Sequence, residues 1–517
     1  MILRHIEATC GVSGPACQQN HFCNKFADRK RSCVTLRELA FYMPPAVQPW
    51  LMISPSSNSL TSTRNLLMKI LPKTPGLPTT RARRFEEPLT EIARIESPRR
   101  HTTRLFCAGF LAAVVLVASS ARGGENGEWI ETWSASPQPV WTPDFFAPIN
   151  FPRNLWNQTI RQTARVSVGG DKLRVVLSNE YGSQPLVIGA AHVALSDQGS
   201  AIKAGSDRAL TFSHKESFTI PPGALAISDP VDLTVPPLGS VTVSFFLPKV
   251  TPTATMHWDG RQTAYIVAGN KVADLEITPD SKTESRLFLN GILVDATPDA
   301  RAVVTFGDSI TDGDGSTVDA NNRWPDLLAQ RLQANGTPMA VLNEGISGAR
   351  VLTDRMGVNA LARFDEDVLT HPHADTVILM MGINDIGWPD SVLDPKAPAP
   401  SADDIIAGYQ QLISRAHDHG MRIIGATLTP FAVAFKGTPL EGYYNEDKEA
   451  KRVAVNEWIR NSGAFDGVID FEAVVRDPAN PKQMLPTYDK GDNLHPNDAG
   501  YKAMAESIDL KIITGQP

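Results

Sequence analysis

The chain has 517 residues, of which 42% are hydrophobic and 20% charged, and its formal net charge is −7 at pH 7. These proportions are typical of a globular protein with room for more than one domain. The charge is uneven, because residues 1–121 hold 16 Lys and Arg against 7 Asp and Glu, whereas the rest of the chain holds 33 against 49. The acidic remainder argues against nucleic acid or an anionic membrane as the main partner.

Residues 1–98 are rich in Arg, Ser, Thr and Pro and show no sustained apolar period. Two explanations stay open: a disordered cationic extension, or a start-site misassignment in which translation begins near residue 98. All five cysteines lie before residue 122, so the later part of the chain cannot form a disulfide bond.

Residues 99–121 have the pattern of a secretory signal peptide. Arg99, Arg100 and Arg104 precede an apolar run over 105–117, which is short for a membrane span, and small residues follow up to Ala121. We expect cleavage after Ala121 and a secreted or periplasmic protein that keeps no stable membrane insertion. An uncleaved signal anchor is the alternative.

Residues 122–298 predict an all-β accessory domain with a sandwich or jelly-roll-like fold. Short runs of strand character, separated by Pro- and Gly-rich turns, lie at 164–168, 173–177, 186–195, 241–247 and 263–267. The tryptophans of this region are expected mainly in packing, with a sugar-stacking surface as the alternative. They are Trp129, Trp133, Trp141, Trp156 and Trp258.

Residues 299–517 predict an α/β domain with a parallel sheet. Apolar runs typical of strands buried on both faces lie at 302–306, 340–342, 376–381, 422–428 and 467–471. Helical stretches alternate with them at 323–335, 359–370, 401–419, 444–461 and 497–512. This alternation predicts three layers, and ligands of such sheets bind at the carboxyl ends of the strands.

A serine and an Asp/His pair are the clearest chemical signals. Gly307-Asp308-Ser309 follows the first of these strands, and Asp492-Asn493-Leu494-His495-Pro496 lies near the C-terminus. A hydroxyl, an imidazole base and a carboxylate that orients the base are the parts of nucleophilic serine catalysis. The pattern is not the Gly-x-Ser-x-Gly elbow, because Thr311 stands where the second Gly belongs.

Two further segments follow the next two strands. Asn343-Glu344-Gly345-Ile346-Ser347-Gly348 comes after the second strand, and Gly382-Ile383-Asn384-Asp385 comes after the third. Acyl transfer needs N–H donors aimed at the oxygen that becomes negative, and a glycine amide or an Asn side chain can supply them. Taken singly, each segment is equally compatible with a tight turn.

In order and spacing, the four segments resemble the four sequence blocks of the SGNH (GDSL-type) hydrolases. The resemblance covers about residues 302–512 and implies a flavodoxin-like, three-layer domain. It implies Ser309 as nucleophile, His495 as general base and acid, and Asp492 as the group that orients His495. The amides of Ser309 and Gly348 and the side chain of Asn384 would form the oxyanion hole. The preceding β-domain, which opens Thr132-Trp133-Ser134-Ala135-Ser136-Pro137, looks like that of two-domain bacterial members related to a xylanolytic-cluster esterase.

We therefore expect an exported esterase that removes small acyl groups, above all acetyl, from polysaccharides. A lipase, arylesterase or thioesterase with a longer acyl pocket is the second possibility, and a non-catalytic carbohydrate-binding protein is the third. The long loops at 387–401 and 431–444 are the candidate pocket walls. No cofactor and no metal are expected, the oligomeric state stays open, and surface roles are predicted for His371, His373, His417 and His419.

Overall fold

The computed structural model describes residues 128–142, 145 and 147–515. The predicted extension over 1–98 and the predicted signal peptide over 99–121 lie outside the described residues. Within the described part of the chain, no helix is long and apolar enough to cross a membrane.

Strands are the main elements of the described residues between 129 and 295. They are β1 (Trp129–Ser134), β2 (Gln138–Pro139), β3 (Asn154–Leu155), β4 (Gln158–Arg165), β5 (Gly170–Ser178), β6 (Leu186–Ile188), β7 (Ala190–Leu195), β8 (Arg208–Ala209), β9 (Phe218–Ile220), β10 (Leu225–Ile227), β11 (Val231–Val235), β12 (Ser240–Leu247), β13 (Thr251–Pro252), β14 (Thr255–His257), β15 (Ala264–Ala268), β16 (Ser281–Thr283), β17 (Arg286–Leu287) and β18 (Leu289–Asp295). We call this part of the chain the β region.

Two larger antiparallel sheets organise the β region. One has the order β1-β18-β5-β10, with β11 also paired to β5, and the other has the order β16-β15-β4-β12-β7-β8. Alternate residues of both sheets point into a shared apolar core, in which Val175 and Ile292 of the first sheet and Ile160 and Val243 of the second are fully buried. Of the five tryptophans, Trp133 and Trp141 are buried, whereas Trp156 is 67% exposed.

A five-stranded parallel sheet forms the centre of the C-terminal part. Its strands are β19 (Arg301–Gly307), β20 (Met339–Gly345), β21 (Ala374–Met380), β22 (Arg422–Ala426) and β23 (Gly467–Ile469). Their order is β20-β19-β21-β22-β23, which is the 2-1-3-4-5 order of flavodoxin-like folds. Gly307 is in register with Gly345 and with Met380, so the first three strands end at one edge. A small hairpin, β24 (Arg476–Asp477) and β25 (Asn480–Met484), follows the sheet.

Helices cover both faces of this sheet. They are α1 (Ser309–Asp312), α2 (Trp324–Ala334), α3 (Ala360–Phe364), α4 (Ile383–Gly387), α5 (Ala402–Asp418), α6 (Glu446–Asn461), α7 (Phe471–Val475), α8 (Asp498–Ser507) and α9 (Leu510–Thr514), with a π-helical turn at Asp365–Leu369 and a 3₁₀ turn at Glu441–Tyr443. Along β19, Val303 joins the core formed with α2 and α8, whereas Val304 joins the core formed with α5 and α6. The C-terminal part therefore has the three layers that the sequence predicts.

Some predicted elements are interrupted. The single helix predicted over 497–512 is wrong, because Ile508 is extended, with φ −68° and ψ 119°, and divides it into α8 and α9. The side chain of Asp509 then accepts a hydrogen bond from Lys511 N at 3.0 Å and so begins a new helix. Over 359–370, α3 continues into the π-helical turn instead of a regular helix.

The β region covers the edge strand of the parallel sheet. Val341 N on β20 donates a hydrogen bond to Ser167 Oγ at 3.0 Å, and Ser167 Oγ donates to Thr132 O at 2.7 Å. Edge strands otherwise present unpaired backbone groups to solvent or to other chains. The β region thus packs beside the strand that leads into Gly348.

Candidate active site

The serine of the first motif begins a short helix at the edge of the parallel sheet. Ser309 is the first residue of α1, directly after β19 and Asp308. The Asp308 side chain caps this turn by accepting a hydrogen bond from Ile310 N at 3.1 Å. A Cβ on Gly307 would lie 2.7 Å from Met380 O, so only glycine allows the two strands to approach at this point.

Ser309, His495 and Asp492 form a hydrogen-bonded series. His495 Nδ1 lies 2.7 Å from Asp492 Oδ2, and His495 Nε2 lies 2.8 Å from Ser309 Oγ. Because a carboxylate only accepts hydrogen bonds, Nδ1 carries the hydrogen in this pair and Nε2 is left to accept from the serine hydroxyl. All three side chains are buried, and Ser309 is 5% exposed.

Asp492 is fixed as an ionised acceptor. Its Oδ1 accepts hydrogen bonds from Leu494 N and His495 N, both at 2.9 Å, so the Asp-x-x-His spacing closes a tight turn around the carboxylate. Burial opposes its ionisation, but His495 and Lys490 outweigh that effect and hold the pKa of Asp492 well below its usual range. Asp492 therefore keeps its charge at the pH at which the imidazole would work as a base.

A second carboxylate reaches the other side of the histidine. Asp314 Oδ2 lies 3.6 Å from His495 Nε2, and Asp314 Oδ1 accepts a hydrogen bond from Lys490 Nζ at 2.7 Å. Lys490 Nζ also lies 3.1 Å from Asp492 Oδ2 and so joins the two carboxylates. Burial opposes the ionisation of Asp314, but Lys490 and His495 lower its pKa below its usual range.

The amide of Asn384 is held in one orientation. Its Oδ1 accepts hydrogen bonds from Trp388 Nε1 and from Tyr443 Oη, both at 2.9 Å, and its Nδ2 donates to Ala349 O at 3.0 Å. Two donors on the oxygen assign the amide orientation unambiguously. Among the described residues, none engages the second hydrogen on Nδ2, so this donor is free to meet a substrate oxygen.

Gly348 has a backbone conformation that favours glycine. Its φ is +78°, and a Cβ at this position would lie 3.0 Å from Trp388 Cζ2 and from Met356 Cγ and closer still to Met356 Sδ. The loop after Gly348 is fastened by Asp385, whose carboxylate accepts from Val351 N at 2.8 Å and from Leu352 N at 3.0 Å. The Gly-x-Asn-Asp motif thus supports the neighbouring loop as well as its own turn.

Asp312 fastens the start of the same loop. Its Oδ2 accepts hydrogen bonds from Ser347 N at 2.9 Å and from Ser347 Oγ at 2.8 Å. Its Oδ1 lies 3.0 Å from Nε2 of His257, which belongs to β14 of the β region. Burial disfavours the charged form of His257, but the Asp312 carboxylate outweighs that effect and raises the pKa of the imidazole.

Burial also raises the pKa of two carboxyl groups in the motifs of the site. Burial raises the pKa of Asp308 to about 7 and that of Asp385 to about 6. The second oxygen of Asp308, Oδ2, has no hydrogen-bond partner among the described residues. Asp308 therefore titrates close to neutral pH.

Aromatic side chains surround the site. Phe145 stacks on Trp388 with ring centroids 6.1 Å apart and an interplanar angle of 11°, and Phe435 lies 6.2 Å from the ring of His495. The two loops predicted as pocket walls thus place Trp388, Phe435 and Tyr443 around the site. Phe145 comes from the β region, which the sequence did not connect with the site.

The structure brings together residues that the sequence analysis singled out from four separate segments. Ser309, Gly348 and Asn384 follow β19, β20 and β21, whose carboxyl ends meet at one edge, and the loop before α8 brings Asp492 and His495 to the same edge. Trp388 and Tyr443 lie in the two loops that the sequence predicted as pocket walls. Three other residues of the surroundings were not predicted to belong to the site, namely Asp314, Lys490 and His257.

The prediction for one histidine outside the site is wrong. His371, expected at the surface, is 10% exposed and lies between two carboxylates, with Nδ1 2.6 Å from Glu131 Oε2 and Nε2 3.1 Å from Glu344 Oε1. His417, by contrast, is 45% exposed, as expected of a surface histidine. In the described part of the chain, no group of three or more His, Cys, Asp or Glu side chains is arranged to hold a metal ion.

This arrangement can support acyl transfer. The imidazole can take the proton of the serine hydroxyl, Asp492 can stabilise the imidazolium that results, and a glycine loop and a fixed Asn amide lie at the ends of the neighbouring strands.

Comparison with known proteins gives a family and several similar structures. The model of the GDSL-like Lipase/Acylhydrolase family matches residues 305–503. A lipolytic protein of the G-D-S-L family from Desulfitobacterium hafniense DCB-2 is 22% identical, with 40% of this chain and 96% of that chain covered and a TM-score of 0.29. The aryl esterase of M. smegmatis is 20% identical, with 41% and 99% covered and a TM-score of 0.32. A carbohydrate acetylesterase family member from Sinorhizobium meliloti is 18% identical, with 42% and 99% covered and a TM-score of 0.32. A search of curated protein sequences gives no match.

Proposed function

Residues 305–503 form a domain of the GDSL-like lipase/acylhydrolase family, which makes the protein a carboxylic ester hydrolase, and from this premise we propose that it is an exported serine esterase that removes small acyl groups. The observation that carries the proposal is the series Ser309 Oγ, His495 Nε2, His495 Nδ1 and Asp492 Oδ2, with separations of 2.8 and 2.7 Å.

In the proposed reaction, Ser309 Oγ attacks the carbonyl carbon of the ester while His495 Nε2 takes the hydroxyl proton. The tetrahedral intermediate collapses when His495 returns that proton to the leaving alcohol, and an acyl-enzyme remains. Water then attacks the acyl-enzyme with His495 again as base, which releases the carboxylic acid and restores the serine.

The negative charge of the intermediate needs donors that are in place before the reaction. We propose that the amides of Ser309 and Gly348 and the side chain of Asn384 supply them. The support is the held Asn384 amide, whose oxygen is occupied by Trp388 and Tyr443. Such preorganised donors stabilise the transition state more than the ground state, and so they raise kcat.

We propose a short acyl group, in first place acetyl, and the support is the close packing around Gly348. Met356 and Trp388 fill the space into which a side chain at this position would project. A long acyl chain would require these side chains to move, whereas an acetyl group adds only one methyl beyond the carbonyl. An acylated carbohydrate is the proposed natural substrate.

Export is part of the same proposal, and its support is the basic, apolar and small-residue pattern over 99–121. The β region is proposed as a sandwich-like accessory domain, supported by the shared apolar core of its two larger sheets. Recovery of active enzyme only from the cytoplasm of its own cells would contradict the export.

The proposal is tested by measuring hydrolysis of p-nitrophenyl esters from C2 to C12 with the full chain and with Ser309→Ala. We expect kcat/KM to stay constant or to fall as the acyl chain lengthens from C2 to C12. We expect Ser309→Ala to lower kcat on the acetate by about 10⁴-fold or more, because the nucleophile is lost.

Two results would overturn parts of this proposal. Activity close to that of the wild type in Ser309→Ala would rule out the serine mechanism. A rise of kcat/KM toward C8 or C12 would instead indicate an apolar acyl pocket, since each buried CH₂ contributes about 0.8 kcal/mol. Acetate release from acetylated xylan and pectin, with intact glycan as the blank, then tests the carbohydrate substrate.

A further inference from the structure

The loop that carries Gly348 is held at its start through a side chain of the β region. His257 Nε2 lies 3.0 Å from Asp312 Oδ1, and Asp312 Oδ2 accepts hydrogen bonds from both the backbone N and the side-chain Oγ of Ser347. His257, Asp312 and Ser347 are all buried. One carboxylate thus connects β14 with the residue just before Gly348.

The second ring nitrogen of His257 is also hydrogen-bonded. Its Nδ1 lies 3.0 Å from Ser136 O, a carbonyl that can only accept a hydrogen bond. Nδ1 and Nε2 therefore both carry hydrogens, and the imidazole is a cation that faces Asp312. A charged, hydrogen-bonded pair of this kind leaves the Asp312 carboxylate little freedom to turn away from Ser347.

The far end of the same loop is held independently. Met356 O accepts hydrogen bonds from Gln138 Nε2 at 2.8 Å and from Trp141 Nε1 at 2.9 Å, and both donors belong to the β region. Met356 in turn packs against the Cα of Gly348. The β region therefore contacts this loop on both sides of the glycine.

From these contacts we infer that His257 is a positioning residue for ester hydrolysis, which orients the Gly348 amide through Asp312 and Ser347, and that the β region thereby completes the oxyanion hole. This inference rests on the proposed function, in which the Gly348 amide is an oxyanion donor. Gly348 has φ +78°. The direction of its N–H is set by the orientation of the peptide bond between Ser347 and Gly348, so a small rotation of this peptide redirects the N–H. Misplacement of a reacting or stabilising group by about 1 Å can cost about 10²-fold in rate.

The test compares three variants of the full chain at His257. His257→Gln keeps an amide donor near the position of Nε2, whereas His257→Asn places its amide nearer Nδ1 and cannot reach Asp312. His257→Leu removes both donors. We expect kcat on p-nitrophenyl acetate to fall about 10- to 100-fold in the Leu and Asn variants with KM changed less than about threefold, and to be largely restored in the Gln variant.

An aryl trifluoromethyl ketone supplies the readout that separates positioning from loss of folded protein. Ser309 Oγ adds to its carbonyl carbon, the hydroxyl proton passes to His495, and the former carbonyl oxygen becomes an oxyanion in the hole. We expect its inhibition constant to rise in His257→Leu by the same factor by which kcat/KM falls. A lower folded fraction would reduce the apparent kcat and leave the inhibition constant unchanged, and that result would overturn the inference.

His192→Leu is the matched control. His192 lies on β7 of the same region, and its Nδ1 likewise pairs with an aspartate, since Asp207 Oδ2 is 2.8 Å away. We expect it to keep the wild-type kcat and inhibition constant. If the wild-type chain hydrolyses the acetate through Ser309 but all three His257 variants match it, this inference alone fails. If the wild type releases no product, the proposed function fails first.

Discussion

Asp314 places a second negative charge beside the candidate base. It lies 3.6 Å from His495 Nε2, on the side that faces Ser309, while Asp492 occupies Nδ1. Lys490 contacts both carboxylates and so limits the net negative charge around the imidazole. The imidazole therefore lies near three charged side chains, of which only Asp492 belongs to the sequence motif.

This arrangement predicts the pH dependence of two variants. Because Lys490 and His495 hold the pKa of Asp314 below its usual range, Asp314 is ionised at mildly acidic to alkaline pH and its negative charge favours a positive charge on the neighbouring imidazole. In Asp314→Asn the acidic limb of the kcat/KM profile should therefore move to lower pH, by about one unit. Lys490→Met should move it to higher pH, because Asp314 and Asp492 are then left without their cation. The measurement is the pH profile of p-nitrophenyl acetate hydrolysis between pH 4 and 9.

Asp308 provides the internal reference for this comparison. Burial raises its pKa to about 7, so it changes charge between pH 4 and 9, but it is present in the wild type and in both variants. A shift of the two profiles in opposite directions can only come from the Asp314 and Lys490 substitutions. Shifts in the same direction, or none, would contradict this account of the charges.

At the scale of elements, the loop after β20 depends both on its local sequence and on contacts with residues distant in the chain. Sequence alone predicted that Ser309, Gly348 and Asn384 follow three strands, since buried apolar runs and the glycines behind them are local signals. It did not predict His257 or Lys490, because their partners Asp312 and Asp314 are distant in the chain and only folding brings them together. The break at Ile508 was not predicted either, because the local helical pattern of the sequence continues through this residue.

Gly348→Ala tests the close packing of this loop. The alanine would have to adopt the left-handed backbone conformation, and its methyl group would meet Met356 and Trp388. We therefore expect the Gly348 amide to be displaced and kcat to fall by about 10²-fold. Gly420→Ala is the matched control, with φ +72° and nothing within 4 Å of the added Cβ. It should lower the free energy of unfolding by about 1 kcal/mol and leave kcat unchanged. Equal losses of kcat in both variants would contradict the packing argument.

At the scale of the whole molecule, a buried ionic cluster joins the β region to the parallel sheet. Glu131 on β1 and Glu344 on β20 contact opposite nitrogens of His371, and Ser136 Oγ donates to Glu344 at 2.5 Å. A histidine between two buried carboxylates is most stable as a cation. Burial disfavours that form, but Glu131 and Glu344 outweigh it and raise the pKa of His371 well above its usual range.

A raised histidine pKa stabilises the folded state fully below the unfolded value of about 6.5, and this stabilisation is lost as the pH rises through the folded value. Replacing His371 by Gln should therefore lower the free energy of unfolding by about 3 kcal/mol at pH 6 and by clearly less at pH 10. Urea unfolding at both pH values measures the difference. His417→Gln is the control, because its pair with Asp466 is half exposed and should contribute less than about 1 kcal/mol at either pH. A loss for His371→Gln that is equal at pH 6 and pH 10 would mean that the site stabilises the fold by packing and not by its charge.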